Sequence, residues 1–262
     1  MIRRSDVRGV VLAGGDSTRF GEADKALADL SGRPLVAHVV GALADGTAGR
    51  PLVAVSTADE GDALRRALAE GDGGEGPSDV AESDANPLAA GENDAGAPVA
   101  GEDGADDPVA GAETGRTGAT GESSAPTAVE TVTDAPDYAG PLGGLLAAAA
   151  AADRPWLFVV GCDMPLVSVE TVDALREAVT PDADAVVPVV GGHDQPLHAL
   201  YRRSAVDALR DGLPERAGLR TLVDGFDDVV RIPADGADAP LSDAVANVNT
   251  RADLERLRER FD

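Results

Sequence analysis

Residues 71–130 set the first constraint on any fold this chain adopts. They hold fourteen acidic residues, twelve glycines, one arginine and no aromatic. Their scattered Val and Leu residues follow neither a helical nor a strand period. Such a stretch buries too little apolar surface to repay its ordering entropy. It reads as an acidic, glycine-rich, disordered insertion carried on a surface loop. A structureless loop of that length inside a domain is unusual, so the flanking pieces must show that they belong together.

They share one alternation. Val7 to Ala13, with GVVLA at its core, reads as a short buried strand followed by a glycine-rich turn. LSGRPLVAHVVGAL predicts a hairpin-like turn at Ser31–Gly32 and a helix around 34–44. PLVAVST (51–57) is a second strand, and DEGDALRRALAE a helix with Leu64 and Leu68 on one face. Beyond the insertion, VETVT (129–133) reads as a strand edge and GPLGGLLAAAAAA as a helix with Pro141 early in it. WLFVVG (156–161) is a strongly apolar strand. SVETVDALREAV follows as a helix capped by Ser168, with an acidic first turn. DAVVPVV (184–190) is a strand, QPLHALYRRSAVDALRDGL (195–213) a strand then a helix, VVRIP (229–233) a late strand, and ADLERLRERF a closing amphipathic helix. Strands alternating with helices predict an α/β domain, a parallel sheet covered by helices. The expectation is a single domain over 1–262, interrupted at 71–130.

Charge narrows the function classes. The net charge is -25, a surface that repels nucleic acid and anionic membranes. Any polyphosphate site must then be neutralised locally. Lys25 is the only lysine; the other 21 basic residues are arginines. Acidic excess with almost no lysine suggests a protein kept soluble in high salt, where self-repulsion is screened. A high-GC genome plus one acidic insertion gives the same composition. The single cysteine, Cys162, excludes a disulfide within the chain and is expected to pack. The basic start lacks the apolar stretch of a signal peptide, and LLAAAAAA (145–152) is too short to cross a bilayer. The expected location is the cytoplasm.

Two stretches carry the chemistry. VVLAGGDSTRFGEADKAL (Val10 to Leu27) brings a buried strand to Gly14 and Gly15. Paired glycines let backbone approach a ligand closely, and the N–H groups there form a nest for phosphate oxygens. Arg19 and Lys25 lie in the same loop and offset triphosphate charge. The order matches neither a P-loop nor G-x-G-x-x-G. The second stretch, WLFVVGCDMP (Trp156 to Pro165), ends a buried strand in Asp163. Ligands of open α/β sheets sit beyond the carboxyl ends of strands. Asp163 is therefore placed to hold Mg²⁺, which favours hard oxygen ligands. Upstream, Gly140 would let backbone approach a planar base and Asp134 would bind or position the second substrate. HDQPLH (His193 to His198) offers too few ligands for zinc. In NVNT (Asn247 to Thr250), Thr250 is a candidate N-cap with Asp253 three residues on.

These motifs resemble the MobA-like nucleotidyltransferases, the molybdenum cofactor guanylyltransferases in particular. The matching pieces are LAGGDSTRFG (Leu12 to Gly21), DKAL (Asp24 to Leu27), SGRPL (Ser31 to Leu35), GPLGGL (Gly140 to Leu145), CDMPL (Cys162 to Leu166), QPLHALY (Gln195 to Tyr201) and NVNT followed by Asp253 and Leu254. They occur in the family's order and cover nearly all the chain outside 71–130. The resemblance implies a Rossmann-like, mostly parallel sheet with helices on both faces, of the nucleotidyltransferase type. It implies transfer of GMP from GTP to molybdopterin cofactor, with Mg²⁺ and release of pyrophosphate. Leu12, Ala13, Gly14 and Gly15 match the nucleotide loop, Lys25 the substrate-contacting lysine, Asp163 the magnesium aspartate and Asp134 the acidic residue of the GTP site. Asn249 falls in a tail motif associated with the pterin side. Molybdoenzymes or their chaperones are the implied protein partners. Two departures stand out: STAD (Ser56 to Asp59), where relatives often carry an asparagine after the second strand, and the acidic stretch itself. Guanine in place of cytosine follows from the resemblance alone. One alternative is a related transferase that uses CTP or another phosphorylated acceptor, and a non-catalytic GTP-binding regulator is the alternative from another class.

Overall fold

A computed structural model of the chain describes residues 1–14, 25–70, 129–138, 140–234 and 241–261. The reading of 71–130 as an insertion falls outside these residues, except at Val129, which packs against the core, and Glu130, which already belongs to a strand.

Strand β1 (Val7–Leu12) is buried at every position. Strands β2 (Asp29–Leu30) and β3 (Arg33–Pro34) form the expected hairpin. Its turn residues Ser31 and Gly32 have φ of 51° and 80°, the left-handed pair that a two-residue hairpin requires. The chain continues through α1 (Leu35–Gly46), β4 (Leu52–Val55), α2 (Ala58–Glu70), β5 (Glu130–Thr133), α3 (Pro141–Ala151) and β6 (Trp156–Gly161). Then come α4 (Val169–Glu177), β7 (Ala185–Val190), β8 (His193–Asp194), β9 (His198–Arg202), α5 (Arg203–Leu209), α6 (Leu219–Gly225), β10 (Val229–Pro233), α7 (Leu241–Ala244) and α8 (Arg251–Phe261).

The main sheet runs β10-β7-β9-β6-β1-β4-β5, with β8 hairpinned onto β7. The pairs β1–β4, β1–β6, β4–β5 and β10–β7 are parallel. Strand β9 runs against both neighbours, β6 and β7. The expected mostly parallel sheet is therefore present, with one reversed strand in its middle. Alternation along a strand sends successive side chains to opposite faces. Trp156, Phe158 and Val160 enter a core with Val39 and Leu43 of α1, Leu64 of α2 and Leu175 of α4. Leu157 and Val159 enter a second core with Leu145 of α3, Val206 of α5 and Leu222 of α6. Helices thus cover both faces. Full burial of such a side chain contributes about 1.5–3 kcal/mol. A third, small cluster joins Leu30 and Leu35 to Val248, Leu254 and Leu257, so the hairpin and α8 share a core of their own.

Short elements α6, α7 and β8 were not foreseen from the sequence. Ser168 caps α4, accepting the Thr171 N–H as its spacing predicts. No described helix is long and apolar enough to cross a membrane.

Candidate active site

The order of the strands sets where the chemistry sits. The chain goes from β1 through α1 to β4 and then β5 on one side, and returns to β6 on the other side of β1. The crevice beyond the carboxyl ends of β1 and β6 is the topological switch point, where open α/β sheets bind ligands. Four segments leave the sheet at this end: Gly14 after β1, Ser56 after β4, Asp134 after β5 and Asp163 after β6. Their strand ends stay tied together. Ala13 N–H donates to Ala54 O at 2.8 Å, Asp134 N–H to Val55 O at 2.9 Å and Cys162 N–H to Leu12 O at 3.1 Å.

Asp134 is lodged between two glycines. A Cβ at Gly14 would lie 2.6 Å from Asp134 Oδ2 and 2.8 Å from Ser56 Oγ, and one at Gly144 would lie 3.1 Å from Asp134 Oδ1. No larger residue fits at Gly14 without displacing this carboxylate. Asp134 Oδ1 is buried and has no hydrogen-bond partner among the described residues. Burial first, and the Glu60 charge second, push the Asp134 pKa up to about 6. A carboxyl so placed is primed for a ligand N–H or O–H donor, which would restore what burial removed. Glu60 has a local task as well. Its carboxylate accepts the N–H groups of Ser56 at 2.9 Å and Thr57 at 3.3 Å, while Thr57 Oγ1 accepts the Glu60 N–H at 3.2 Å. This is a capping box at the start of α2. The spacing Thr57-x-x-Glu60 is its signal in the sequence, separate from the motifs named above.

Asp163 turns back over the strand end. A Cβ at Gly161 would lie 2.5 Å from Asp163 Oδ1, so glycine leaves room for the carboxylate. Lys25 Nζ donates to Asp163 Oδ2 at 2.7 Å and to Asn249 Oδ1 at 3.1 Å. Three residues separated by up to 224 positions therefore meet at one ammonium. The side chains of Lys25 and Asp163 are 13% and 22% exposed, shielded yet open to a ligand. Gly140 is the N-cap of α3 with φ of 69°, and nothing lies within 4 Å of where a Cβ would stand. Its surface is open, and its backbone needs glycine. Leu12 is buried and Ala13 half-buried at the end of β1. Gly15 and Arg19 lie outside the described residues.

Among the described residues, no group of three or more His, Cys, Asp or Glu side chains gathers as a metal site. A lone carboxylate suits magnesium, which keeps several waters and completes its shell with phosphate oxygens. Asp163 already holds one cation, the Lys25 ammonium, so its position accepts positive charge. The two histidines near β9 do not converge. His193 is exposed on β8, whereas His198 is fully buried against the Phe158 ring at 5.1 Å, edge to face. Burial lowers the His198 pKa to about 3, so its ring is neutral. Cys162 packs against the core beside β6.

Known proteins are similar to this chain. The profile of the MobA-like NTP transferase domain matches residues 9–89 and 109–231. The molybdenum cofactor guanylyltransferase of Vibrio cholerae is 26% identical over 257 residues, 98% of this chain and 93% of that one. A probable molybdenum cofactor guanylyltransferase of Bacillus licheniformis is 36% identical over 124 residues, 47% of this chain and 62% of that one. The crystal structure of molybdopterin-guanine dinucleotide biosynthesis protein A from Archaeoglobus fulgidus is similar with a TM-score of 0.63 at 19% identity, over 97% of this chain and 98% of that one. At that identity the likeness concerns the fold.

Proposed function

The chain belongs to the MobA-like NTP transferase family, and on that premise we propose that it transfers GMP from GTP to the terminal phosphate of molybdopterin cofactor. The observation that carries this reading is the contact of Lys25 with Asp163, 2.7 Å apart at the switch point of the sheet. The names of relatives that align with nearly the whole chain, from Vibrio cholerae and Cupriavidus metallidurans, support the choice of acceptor and nucleotide.

In this reading the loop that Leu12 to Gly15 open lies against the triphosphate: the sheet keeps the Ala13 N–H on Ala54, and the N–H groups of Gly14 and Gly15 are the ones offered to phosphate oxygens. Asp134 takes a donor from the nucleoside, and the open backbone at Gly140 lies along the base. Lys25 and Arg19 offset phosphate charge that a chain of net charge -25 would otherwise repel. Asp163 would hold Mg²⁺, which supplies Lewis-acid stabilisation of charge on the α-phosphate. Asn249 stands on the acceptor side. An oxygen of the acceptor phosphate forms a bond to the α-phosphorus as the bond from that phosphorus to the bridging oxygen breaks, and pyrophosphate leaves with the electron pair. A phosphate nucleophile is already ionised near neutral pH, so the site needs no strong base. The same proposal keeps 1–262 as one domain with 71–130 as its insertion, working in the cytoplasm and handing product to molybdoenzymes or their chaperones.

The test is pyrophosphate release in high salt with Mg²⁺, purified molybdopterin cofactor, and GTP or CTP. GTP-dependent release should fall about 10³-fold in Asp163→Ala, as loss of a charge-stabilising group does, while the variant keeps its circular dichroism. Preference for CTP would change the nucleotide and keep the chemistry. Nucleotide binding without release under any condition would favour a regulator.

A further inference from the structure

The segment 247–253 lies far from the glycine loop in sequence, yet it reaches the centre of the site. Val248 N–H donates to the main-chain oxygen of Asp163 at 2.9 Å. Asn249 Oδ1 accepts from Lys25 Nζ. Behind Asn249 stands Asp253, whose Oδ2 accepts the N–H groups of Asn249 at 2.9 Å and Thr250 at 2.7 Å. Thr250 Oγ1 accepts the Asp253 N–H at 3.1 Å, and Arg256 holds the other carboxylate oxygen. A helix cap needs only the reciprocal pair of Thr250 and Asp253. The bond from the Asn249 N–H is additional to it and fixes the residue that touches Lys25. Helix α8 has another anchor, since Leu254 and Leu257 are packed with Leu30 and Leu35.

We propose that Asp253 is a positioning residue for the catalytic lysine: by holding the main chain at 249–250 it aims the Asn249 amide, which holds the Lys25 ammonium against Asp163. Asp253 touches no reacting atom. It acts through Asn249, and a loosened turn there lets the ammonium wander from the carboxylate. The role rests on the transfer reading above for its effect on turnover, but the placement of Lys25 is measurable without turnover.

Lys25 is the only lysine, so an amine-selective acylating ester reports on it alone, apart from the terminal amine. The full chain is labelled without substrates, and the rate at Lys25 is read by peptide mass spectrometry. Asn249→Ala and Asp253→Ala should each raise that rate about fivefold, the scale of one lost hydrogen bond. The double variant should be no faster than Asn249→Ala, because two residues acting through one contact are not additive. Thr250→Ala, which loses the cap but keeps the bond from Asn249 N–H to Asp253, should lower the melting temperature while Lys25 labels within about twofold of wild type. If Asp253→Ala does not fold, Asp253→Asn keeps an acceptor without the charge and should label at an intermediate rate. With activity present, kcat should fall by a common factor in the Asn249 and Asp253 variants. Wild-type labelling in Asp253→Ala, or in Asn249→Ala, would overturn the proposal, as would additive rates in the double variant. A wild-type chain that labels as expected but releases no pyrophosphate would sink the transfer reading and leave the positioning role standing.

Discussion

The sheet carries a shielded cation at each end, and the two are held in opposite ways. At the amino end, Arg8 on β1 is 8% exposed in its side chain and fastened by two carboxylates, Glu130 of β5 at 2.9 Å and Asp153 at 3.2 Å. Arg8 and Glu130 both lie on regular strands. At the carboxyl end, Lys25 is held by Asp163 and Asn249, both outside helices and strands. A guanidinium has fixed directions and suits a permanent clamp. An ammonium is a compact charge on a flexible stem that exchanges partners readily. The amino end is built to stay closed, whereas the carboxyl end leaves its charge able to change partners, as the role proposed for Lys25 requires.

The largest effect expected from this contrast is at Lys25. Lys25→Ala should reduce transfer by on the order of 10²–10³-fold and leave thermal stability nearly unchanged, checked by initial rates and by thermal melts of one preparation. Arg8→Ala should do the reverse, costing about 2 kcal/mol in urea unfolding through lost ion pairs and lost packing of the arginine stem, with turnover intact. Equal effects of the two on stability would break the comparison.

One buried group and one half-buried group sharpen it. The ring nitrogens of His198 have no hydrogen-bond partner among the described residues. The folded pKa of about 3 lies below the ordinary 6.5, so the unfolded chain binds the proton more tightly. Stability from this group is full above about pH 6.5 and is lost as pH falls toward 3. His198→Leu should therefore stabilise by about 1 kcal/mol at pH 7, and by more at pH 5, in melts compared at the two pH values. Asp134 has the opposite sign. Its folded pKa of about 6 lies above the ordinary 3.8, so the folded chain binds the proton more tightly. Stability is full below about pH 4 and falls as pH rises to about 6. Asp134→Asn should recover on the order of 1 kcal/mol at pH 7 once the shift is discounted for the solvent that screens a half-exposed carboxylate, a gain that disappears near pH 4, and should weaken nucleotide binding by calorimetry.

Much of this was written in the residue pattern. The apolar runs of β1 and β6 announced buried strands because turn residues bound them, and Gly14 and Asp163 follow directly at their ends. Strand direction was not legible. Period-two alternation in β9 is the same whichever way the strand runs, so its reversal appears only in the pairing with β6 and β7. The convergence on Lys25 was half legible. Each residue stood in a recognisable motif, but the meeting of Lys25 with Asn249 depends on how α8 packs on the β2–β3 hairpin through Leu30, Leu254 and Leu257. No local spacing encodes that packing. The elements missed, α6, α7 and β8, are seven, four and two residues long, too short to show a period.

The reversed strand has a consequence for how such a scaffold diversifies. A parallel strand delivers its outgoing loop to the working edge, and an antiparallel one delivers its incoming loop. Strands β7 and β9 therefore share a single connector at that edge, residues 191–197, turned by Gly191 and Gly192 at φ of 55° and 79°. This connector stands next to the end of β6 because β9 pairs with it, Val160 opposite His198. Lengthening or recomposing residues 191–194 there would remodel one wall of the crevice while Leu197, which packs against both cores, stays in place. Loops tolerate such change far better than the strands they join. One inverted strand thus gives the fold a place to vary what it accepts while the phosphate chemistry is inherited intact.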